Sequence, residues 1–346
     1  MLYVVLFFTF FSLFLYVLLG GADFGAGIVE LFSSRDNRKL TRDTIYKVMG
    51  PIWEANHIWL IILIVILWIA FPAYFNVIII YLHIPLTLVL LGITMRGVAF
   101  IFRHYDAVID ASQIWYNRMF RISSLLTPIF LGMSFGALVS GEIVITNDYS
   151  QTTFAEIFIS PWLNIFSVLT GLFYAALCAF LASTLLIGET SAEIRKIYSR
   201  KSAFFTIVLV LLGGAVLFYG YYTDMVFVKD FLQNTLSLLA IGISALLLIP
   251  LWTAIKKQRS VLTRIFAGAQ ILLVIFAAVN THFPNLIITA GEELNMLEDI
   301  APYSVIKVLA ITLLAGGFVI LPGLFHLMRS FNMIKFSMKE NEEEVS

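Results

Sequence analysis

The sequence predicts an all-α polytopic membrane protein with about nine transmembrane helices, on three observations. Hydrophobic residues make up 60% of the 346 residues and charged residues only 13%, whereas a soluble domain carries about 25% charged residues. Apolar runs of about 20 residues, the length that crosses a bilayer, recur along the chain. Basic residues collect between alternate runs. We therefore expect a single transmembrane helical domain over residues 1–346.

Nine apolar runs meet this length criterion. The first begins next to Met1 without the basic segment and cleavage site of a signal peptide, so we expect it to be retained as a span. The turn around 72–74 is so short that the second and third spans are expected to form a tight antiparallel hairpin. The predicted spans are 2–28, 51–72, 75–102, 119–141, 160–187, 202–223, 231–251, 261–281 and 304–328.

Lysine and arginine predict the orientation of these spans. Cytoplasmic loops of membrane proteins carry an excess of both residues. With the N-terminus outside and the C-terminus in the cytoplasm, every Lys and Arg except Arg96, Lys229 and Lys307 falls in an inner segment or in the first residues of a span at its inner end. A miscounted helix would break this alternation, so the pattern supports both the nine spans and the orientation.

Composition also excludes several classes of function. The formal net charge is zero, whereas a nucleic-acid-binding protein needs a concentrated basic surface. The single cysteine, Cys178, cannot form an internal disulfide. The five histidines show no metal-ligand spacing, so no metal site is predicted. The longer outer loops, 142–159 and 282–303, hold no domain of any size, and the chemistry is expected in or between helices.

Four ionisable residues stand at similar depth near the inner ends of the first three spans. Asp23 belongs to the first span and Arg96 to the third, while Glu54 and His57 open the second on one helix face. A charged side chain in hydrocarbon costs about 2.5 kcal/mol or more, so these residues are candidate functional sites. They have two interpretations from physics alone: a proton or cation path from the cytoplasm, or a fixed buried ion-pair cluster that orders the bundle.

Glycines next to Asp23 have a packing interpretation. Gly21 and Gly25 are four residues apart and form a small-xxx-small pair. Such pairs let the backbone of a neighbouring helix approach closely. We expect a tight helix contact at this point of the first span.

Three motifs on the first three spans, in this order, carry a family resemblance. They are GGADFGAG at 20–27, GPIWEANHIWL at 50–60 and RGVAFIFR at 96–103. Together they resemble subunit II of the cytochrome bd-type quinol oxidases. The late segments FPNLI at 283–287 and PY at 302–303 are similar to an outer loop of the same family, so the resemblance runs from the first span to the last.

The resemblance implies a heterodimer with a haem-bearing subunit I in a bacterial or archaeal cell membrane. This enzyme complex oxidises a membrane quinol and reduces dioxygen to water, with haem b and haem d expected in the partner. It implies no catalytic residue and no catalytic haem in this chain. A structural quinone or lipid in this chain and a small accessory subunit are left open.

Transferred residue by residue, the resemblance makes Asp23, Glu54, His57 and Arg96 the candidates to line proton uptake toward the oxygen-reducing site in the partner. The family often has a carboxylate just ahead of the Gly-Ala-Asp segment, where this chain has Gly20. Two alternatives stand beside the proton path. One is a secondary transporter of a small ion or metabolite, although transporter sites usually lie near the bilayer midplane. The other is an assembly partner with no proton role.

Overall fold

Long apolar helices make up most of the structure, a computed structural model that describes residues 1–49, 53–105, 111–146, 152–187, 192–257, 259–291 and 293–330. Among these residues, eight helical segments are long and apolar enough to cross a membrane. A further pair of helices is bent by 117° and makes a ninth crossing if the pair counts as one span. The predicted all-α multi-span fold is confirmed.

The first half of the chain begins with one long helical segment, since α1 continues through a π-helical turn at Tyr16–Gly20 into α2. No Pro or polar loop interrupts this apolar stretch. In chain order, the helices of this half are α1 (Leu2–Leu15), α2 (Gly21–Leu31), α3 (Arg35–Met49), α4 (Trp53–Ala70), α5 (Pro72–Tyr81), α6 (His83–Tyr105) and α7 (Ser112–Ser140).

The second half adds eight helices and a small β-hairpin. Strands β1 (Ile287–Ile288) and β2 (Glu293–Leu294) pair antiparallel, with Ile287 opposite Leu294. In chain order, the helices of this half are α8 (Phe154–Phe158), α9 (Ile165–Ile187), α10 (Ala192–Tyr222), α11 (Val226–Gln233), α12 (Thr235–Leu246), α13 (Leu248–Lys256), α14 (Ser260–His282) and α15 (Tyr303–Ser330).

Local side-chain chemistry sets several helix ends. Gly141 ends α7 with φ +79°, a left-handed conformation that glycine adopts without a Cβ clash. The Asn234 side chain accepts from the main-chain N–H of Ser237 and caps α12. Thr153 and Glu156 form a reciprocal capping box at the start of α8. The two side-chain caps satisfy backbone N–H groups that a helix start leaves unpaired. Gly141 instead lets the chain leave α7 without strain.

The tight hairpin predicted around 72–74 is wrong. Helix α4 ends at Ala70, α5 runs at 117° to it, and the third crossing begins at His83 rather than at 75. Pro72 is the first residue of α5 and favours a new helix start there. The Tyr74 hydroxyl lies 3.0 Å from the Leu286 main-chain nitrogen and 3.1 Å from the Pro284 carbonyl oxygen. These contacts hold α5 against the loop that follows α14.

Other predicted spans differ from the helices mainly at their ends. Helix α7 begins at Ser112, seven residues before the predicted span, and α10 begins ten residues early at Ala192. Polar residues continue both helices beyond the apolar run, because helix formation depends on backbone hydrogen bonds and not on hydropathy. Hydropathy therefore located the crossings better than it located the helix ends.

The two ends of the bundle differ in charge. We call one of them the basic end: it carries α3, the last turns of α2 and α6, and the first turns of α4, α7 and α10. There the Lys201 Nζ of α10 donates to the Val29 carbonyl oxygen at 3.1 Å and to the Ser33 hydroxyl. The opposite end carries α5 and the β-hairpin. The basic end thus brings together segments that are distant in sequence.

Helix α2 lies at the centre of the packing. Every residue from Gly21 to Glu30 is buried, mainly against α9 and α7. A Cβ on Gly25 would lie 1.8 Å from the Cys178 carbonyl oxygen of α9. The close helix approach predicted from Gly21 and Gly25 is confirmed, and it places the next residues of α2 deep inside the protein.

Candidate functional site

A buried ion pair joins α2 to α6. The Arg96 Nη1 donates to Asp23 Oδ2 at 2.5 Å, and Nη2 donates to Oδ1 at 2.8 Å. Nη2 also donates to the Asp23 main-chain carbonyl oxygen at 2.8 Å. Both residues are almost completely buried, with 0% and 1% exposure. Bidentate contacts of this kind are short, directional and strong, so the pair fixes the relative position of the two helices.

The rest of the Arg96 guanidinium is also occupied. Its Nε donates to the Ser124 hydroxyl of α7 at 3.0 Å. Its charged carbon lies 4.9 Å from the centre of the Phe120 ring and 5.5 Å from that of Phe24, within the range of cation–π attraction. All three guanidinium nitrogens therefore have acceptors, which offsets the cost of burying the charge.

His57 lies beside the same carboxylate. Its Nε2 is 3.7 Å from Asp23 Oδ2, which is too long for a hydrogen bond but close enough for electrostatic attraction whenever the imidazole carries a proton. Its Nδ1 is buried without a hydrogen-bond partner among the described residues. The ring packs near Phe24 and Tyr16. One oxygen of Asp23 thus faces a fixed guanidinium on one side and a titratable imidazole on the other.

Glu54 is the predicted site residue that the structure does not place. Its side chain lies outside the described residues, although its backbone belongs to α4, one turn before His57. The structure therefore brings together Asp23, His57 and Arg96 from three different helices. The role of Glu54 stays a prediction.

A second buried ion pair lies two helical turns farther along the same two helices. The Arg103 Nη1 donates to Glu30 Oε2 at 2.9 Å, and the two residues are 7% and 1% exposed. Sequence reasoning missed Glu30 because hydropathy ended the first span at 28. The signal was present: Asp23 and Glu30 are seven residues apart, as are Arg96 and Arg103.

Three other histidines have contacts away from Asp23. His104 stacks on Tyr46 with ring centres 4.0 Å apart, His83 Nδ1 lies 2.8 Å from the Ile80 carbonyl oxygen, and His282 pairs with Asp230. Within the described part of the chain, no three His, Cys, Asp or Glu residues are grouped to hold a metal ion. The arrangement around Asp23 is suited to holding or moving a proton.

Comparisons with known proteins agree over most of the chain. A family model described as cytochrome bd terminal oxidase subunit II matches residues 1–331. Cytochrome bd ubiquinol oxidase subunit 2 of Bacillus subtilis (strain 168) is 28% identical over 276 residues, which are 79% of this chain and 77% of that protein. Cytochrome bd-I ubiquinol oxidase subunit 2 of Escherichia coli (strain K12) is 26% identical over 203 residues, 58% of this chain and 52% of that protein.

A solved structure supports the fold independently. The structure of bd oxidase from Geobacillus thermodenitrificans matches with a TM-score of 0.75 at 16% sequence identity. The match covers 96% of this chain and 99% of that chain. At this identity the likeness concerns the fold alone.

Proposed function

Because this chain belongs to the cytochrome bd terminal oxidase subunit II family, we propose that it lines the uptake of protons from the cytoplasm for dioxygen reduction in subunit I of the complex. The chain is a multi-pass cell-membrane protein and a subunit of a quinol oxidase complex. In this proposal the haems and the oxygen chemistry belong to subunit I. The chain supports assembly of that subunit and supplies ionisable groups.

One observation carries the proton role: His57 Nε2 lies 3.7 Å from a carboxylate oxygen of Asp23 that Arg96 already holds. A purely structural ion pair has no need of a titratable third group. Buried ionisable groups in membrane helices are costly and usually serve transport or proton transfer. Apart from Asp23, the described neighbours of the His57 ring are the aromatic rings of Phe24 and Tyr16, and its buried Nδ1 has no hydrogen-bond partner among the described residues.

The three residues have different parts in this proposal. Arg96 stays charged and fixed by Asp23 and Ser124. Asp23 holds a carboxylate oxygen 3.7 Å from His57 Nε2 and so provides the neighbouring proton acceptor. His57 takes a proton at one ring nitrogen and releases it from the other. The imidazole is the side chain best suited to this exchange near neutral pH.

The orientation follows the predicted charge pattern. We place the basic end, with α3 and the first turns of α7 and α10, in the cytoplasm. The Asp23 site then lies on the cytoplasmic side of the membrane, where protons for oxygen reduction are taken up. The sequence predicted this depth for the candidate residues. Because Asp23, His57 and Arg96 lie next to one another, a proton would travel only a short distance between them.

The test uses the complete complex, purified with subunit I. His57→Gln keeps a polar side chain but removes the titratable imidazole. We expect quinol-driven oxygen consumption to fall by at least about tenfold, because a positioned proton-transfer group typically contributes about 10²–10⁴-fold. The haem spectrum and the recovery of both subunits should be unchanged. His83→Gln is the matched control. His83 is exposed and is the first residue of α6, whereas Arg96 and Arg103 lie toward the other end of that helix.

Full turnover of His57→Gln at every pH would contradict the proton role and leave an assembly role for the cluster. Loss of haem or of subunit I in that variant would point to the same structural role. The transporter alternative has lost its support, because the family assignment covers nearly the whole chain.

A further inference from the structure

We propose that Glu30, paired with Arg103, is a second ionisable group of this path, through which protons pass from the basic end toward Asp23 and His57. The inference rests on the proposed function and adds a residue that neither the motifs nor the predicted spans singled out. Four observations support it: the spacing of the two ion pairs, the unpaired nitrogens of Arg103, the polar groups beyond Glu30 and the ring shared by both arginines.

The two ion pairs repeat along the same pair of helices. Asp23 and Glu30 are seven residues apart on α2, and their partners Arg96 and Arg103 are seven residues apart on α6. Seven residues are about two helical turns, or about 10.5 Å of rise, and they return to nearly the same helix face. Glu30 therefore lies on the face of α2 that carries Asp23, closer to the basic end.

The second pair is held less tightly than the first. All three nitrogens of the Arg96 guanidinium have acceptors. In Arg103 only Nη1 donates, and Nε and Nη2 are buried without a hydrogen-bond partner among the described residues. Glu30 thus receives one charged hydrogen bond where Asp23 receives two, and Arg103 has spare donors for water or for another position of the carboxylate. The Glu30 carboxylate is therefore held by fewer contacts than the Asp23 carboxylate and can change position at smaller structural cost.

Polar groups continue from Glu30 to the basic end. Ser33 follows the end of α2, three residues after Glu30, and its hydroxyl donates to the Thr41 hydroxyl at 3.3 Å. Lys201 donates to the same Ser33 hydroxyl and to the Val29 carbonyl oxygen. Ordered water molecules commonly bridge polar groups of this kind. Besides Arg103, described groups that interact electrostatically with Glu30 include Lys201, Tyr198 and Arg121.

One aromatic ring connects the two pairs. The Phe120 ring centre lies 4.9 Å from the charged carbon of Arg96 and 4.1 Å from that of Arg103. Phe120 is fully buried on α7, one turn before Ser124. A movement of either guanidinium changes its contact with the shared ring. Phe120 therefore packs against both arginines and helps to hold their guanidinium groups in place.

The experiment compares three variants of the assembled complex. Glu30→Gln removes the carboxylate, and Glu30→Gln/Arg103→Gln also removes the buried positive charge that would otherwise lack a partner. Glu30→Asp keeps a carboxylate on a shorter side chain. Asp230→Asn, at a paired acid on α11 away from the basic end, is the matched control. Haem content, oxygen consumption and its pH profile are measured for each.

We expect Glu30→Gln and the double variant to lower oxygen consumption by at least about fivefold at unchanged haem content, a smaller loss than removal of a dedicated proton-transfer group. Glu30→Asp should assemble and show a displaced pH profile. Recovery of normal turnover in the double variant would overturn the inference, because Glu30 would then only neutralise Arg103. An unaltered pH profile in Glu30→Asp would also overturn it.

The two proposals fail in different ways. If the Glu30 variants turn over normally while His57→Gln is slow, the inference about Glu30 is wrong and the proposed function stands. If both sets of variants turn over normally, the proton role of this chain is wrong altogether. If neither Glu30→Gln nor the double variant assembles, the pH profile of Glu30→Asp decides between the outcomes: a displaced profile supports the role of Glu30 and an unaltered one overturns it.

Discussion

Arg96 binds both the side chain and the backbone of Asp23: its terminal nitrogens contact both carboxylate oxygens and the main-chain carbonyl oxygen of the same residue. The contact therefore fixes the α2 backbone as well as the charge. Since the pair is completely buried, removal of one partner leaves the other charge without compensation.

We expect Asp23→Asn to reduce assembly of the complex, because a buried charge that loses its partner destabilises a protein by about 3–5 kcal/mol. The double variant Asp23→Asn/Arg96→Gln should recover part of this loss. The measurement is the yield of haem-loaded complex after purification together with its thermal unfolding midpoint. Equal yield and midpoint for Asp23→Asn and the native chain would show that the pair contributes little to assembly.

The sequence predicted which residues share this depth but not which of them touch. Hydropathy and the basic-residue pattern placed Asp23, His57 and Arg96 near one side of the membrane. Their pairing depends on the rotation of three helices about their own axes, which side-chain packing determines and which no single apolar run encodes. Glu30 was missed for a simpler reason, since a span boundary drawn at 28 left it in a loop.

The bend between α4 and α5 shows another limit of hydropathy. Residues 72–81 are apolar enough to extend a membrane helix. Their position depends instead on tertiary contacts of Tyr74 with the loop that holds Pro284 and Leu286. These partners are more than 200 residues away in sequence, so no local pattern could predict the bend.

The second prediction concerns the contact between α2 and α9. Gly25→Ala would place a methyl group 1.8 Å from the Cys178 carbonyl oxygen, so the helices must separate. Overpacking of a buried site costs about 1–3 kcal/mol or more, and here the obstacle is backbone. We expect a lower thermal midpoint and a lower yield of complex. Gly242→Ala on α12 is the control, because no atom lies within 4 Å of its added methyl.

A Gly25→Ala complex with native stability would mean that α2 and α9 can move apart at little cost. The close approach would then not be needed to hold Asp23 in place.

The third prediction concerns Glu54. The sequence alone makes this residue a candidate, because its side chain lies outside the described residues. Glu54→Gln should slow oxygen consumption by at least about tenfold while haem content stays constant, if its carboxylate passes protons to the neighbouring His57. His57 is one turn away on α4, so the two substitutions should not be additive. Additive losses in the double variant Glu54→Gln/His57→Gln would place the two residues on separate routes.

The fourth prediction tests the orientation by cysteine labelling. Cys178 is the one cysteine of the chain and is completely buried, so introduced thiols can be read against a low background. Lys39→Cys, at an exposed position of α3, reports the basic end, and Lys229→Cys on α11 reports the opposite end. With the basic end in the cytoplasm, a membrane-impermeant maleimide should label Lys229→Cys in intact cells and Lys39→Cys only in inside-out membranes. The reverse pattern would place Asp23 and His57 on the outer side, where they could not take up cytoplasmic protons.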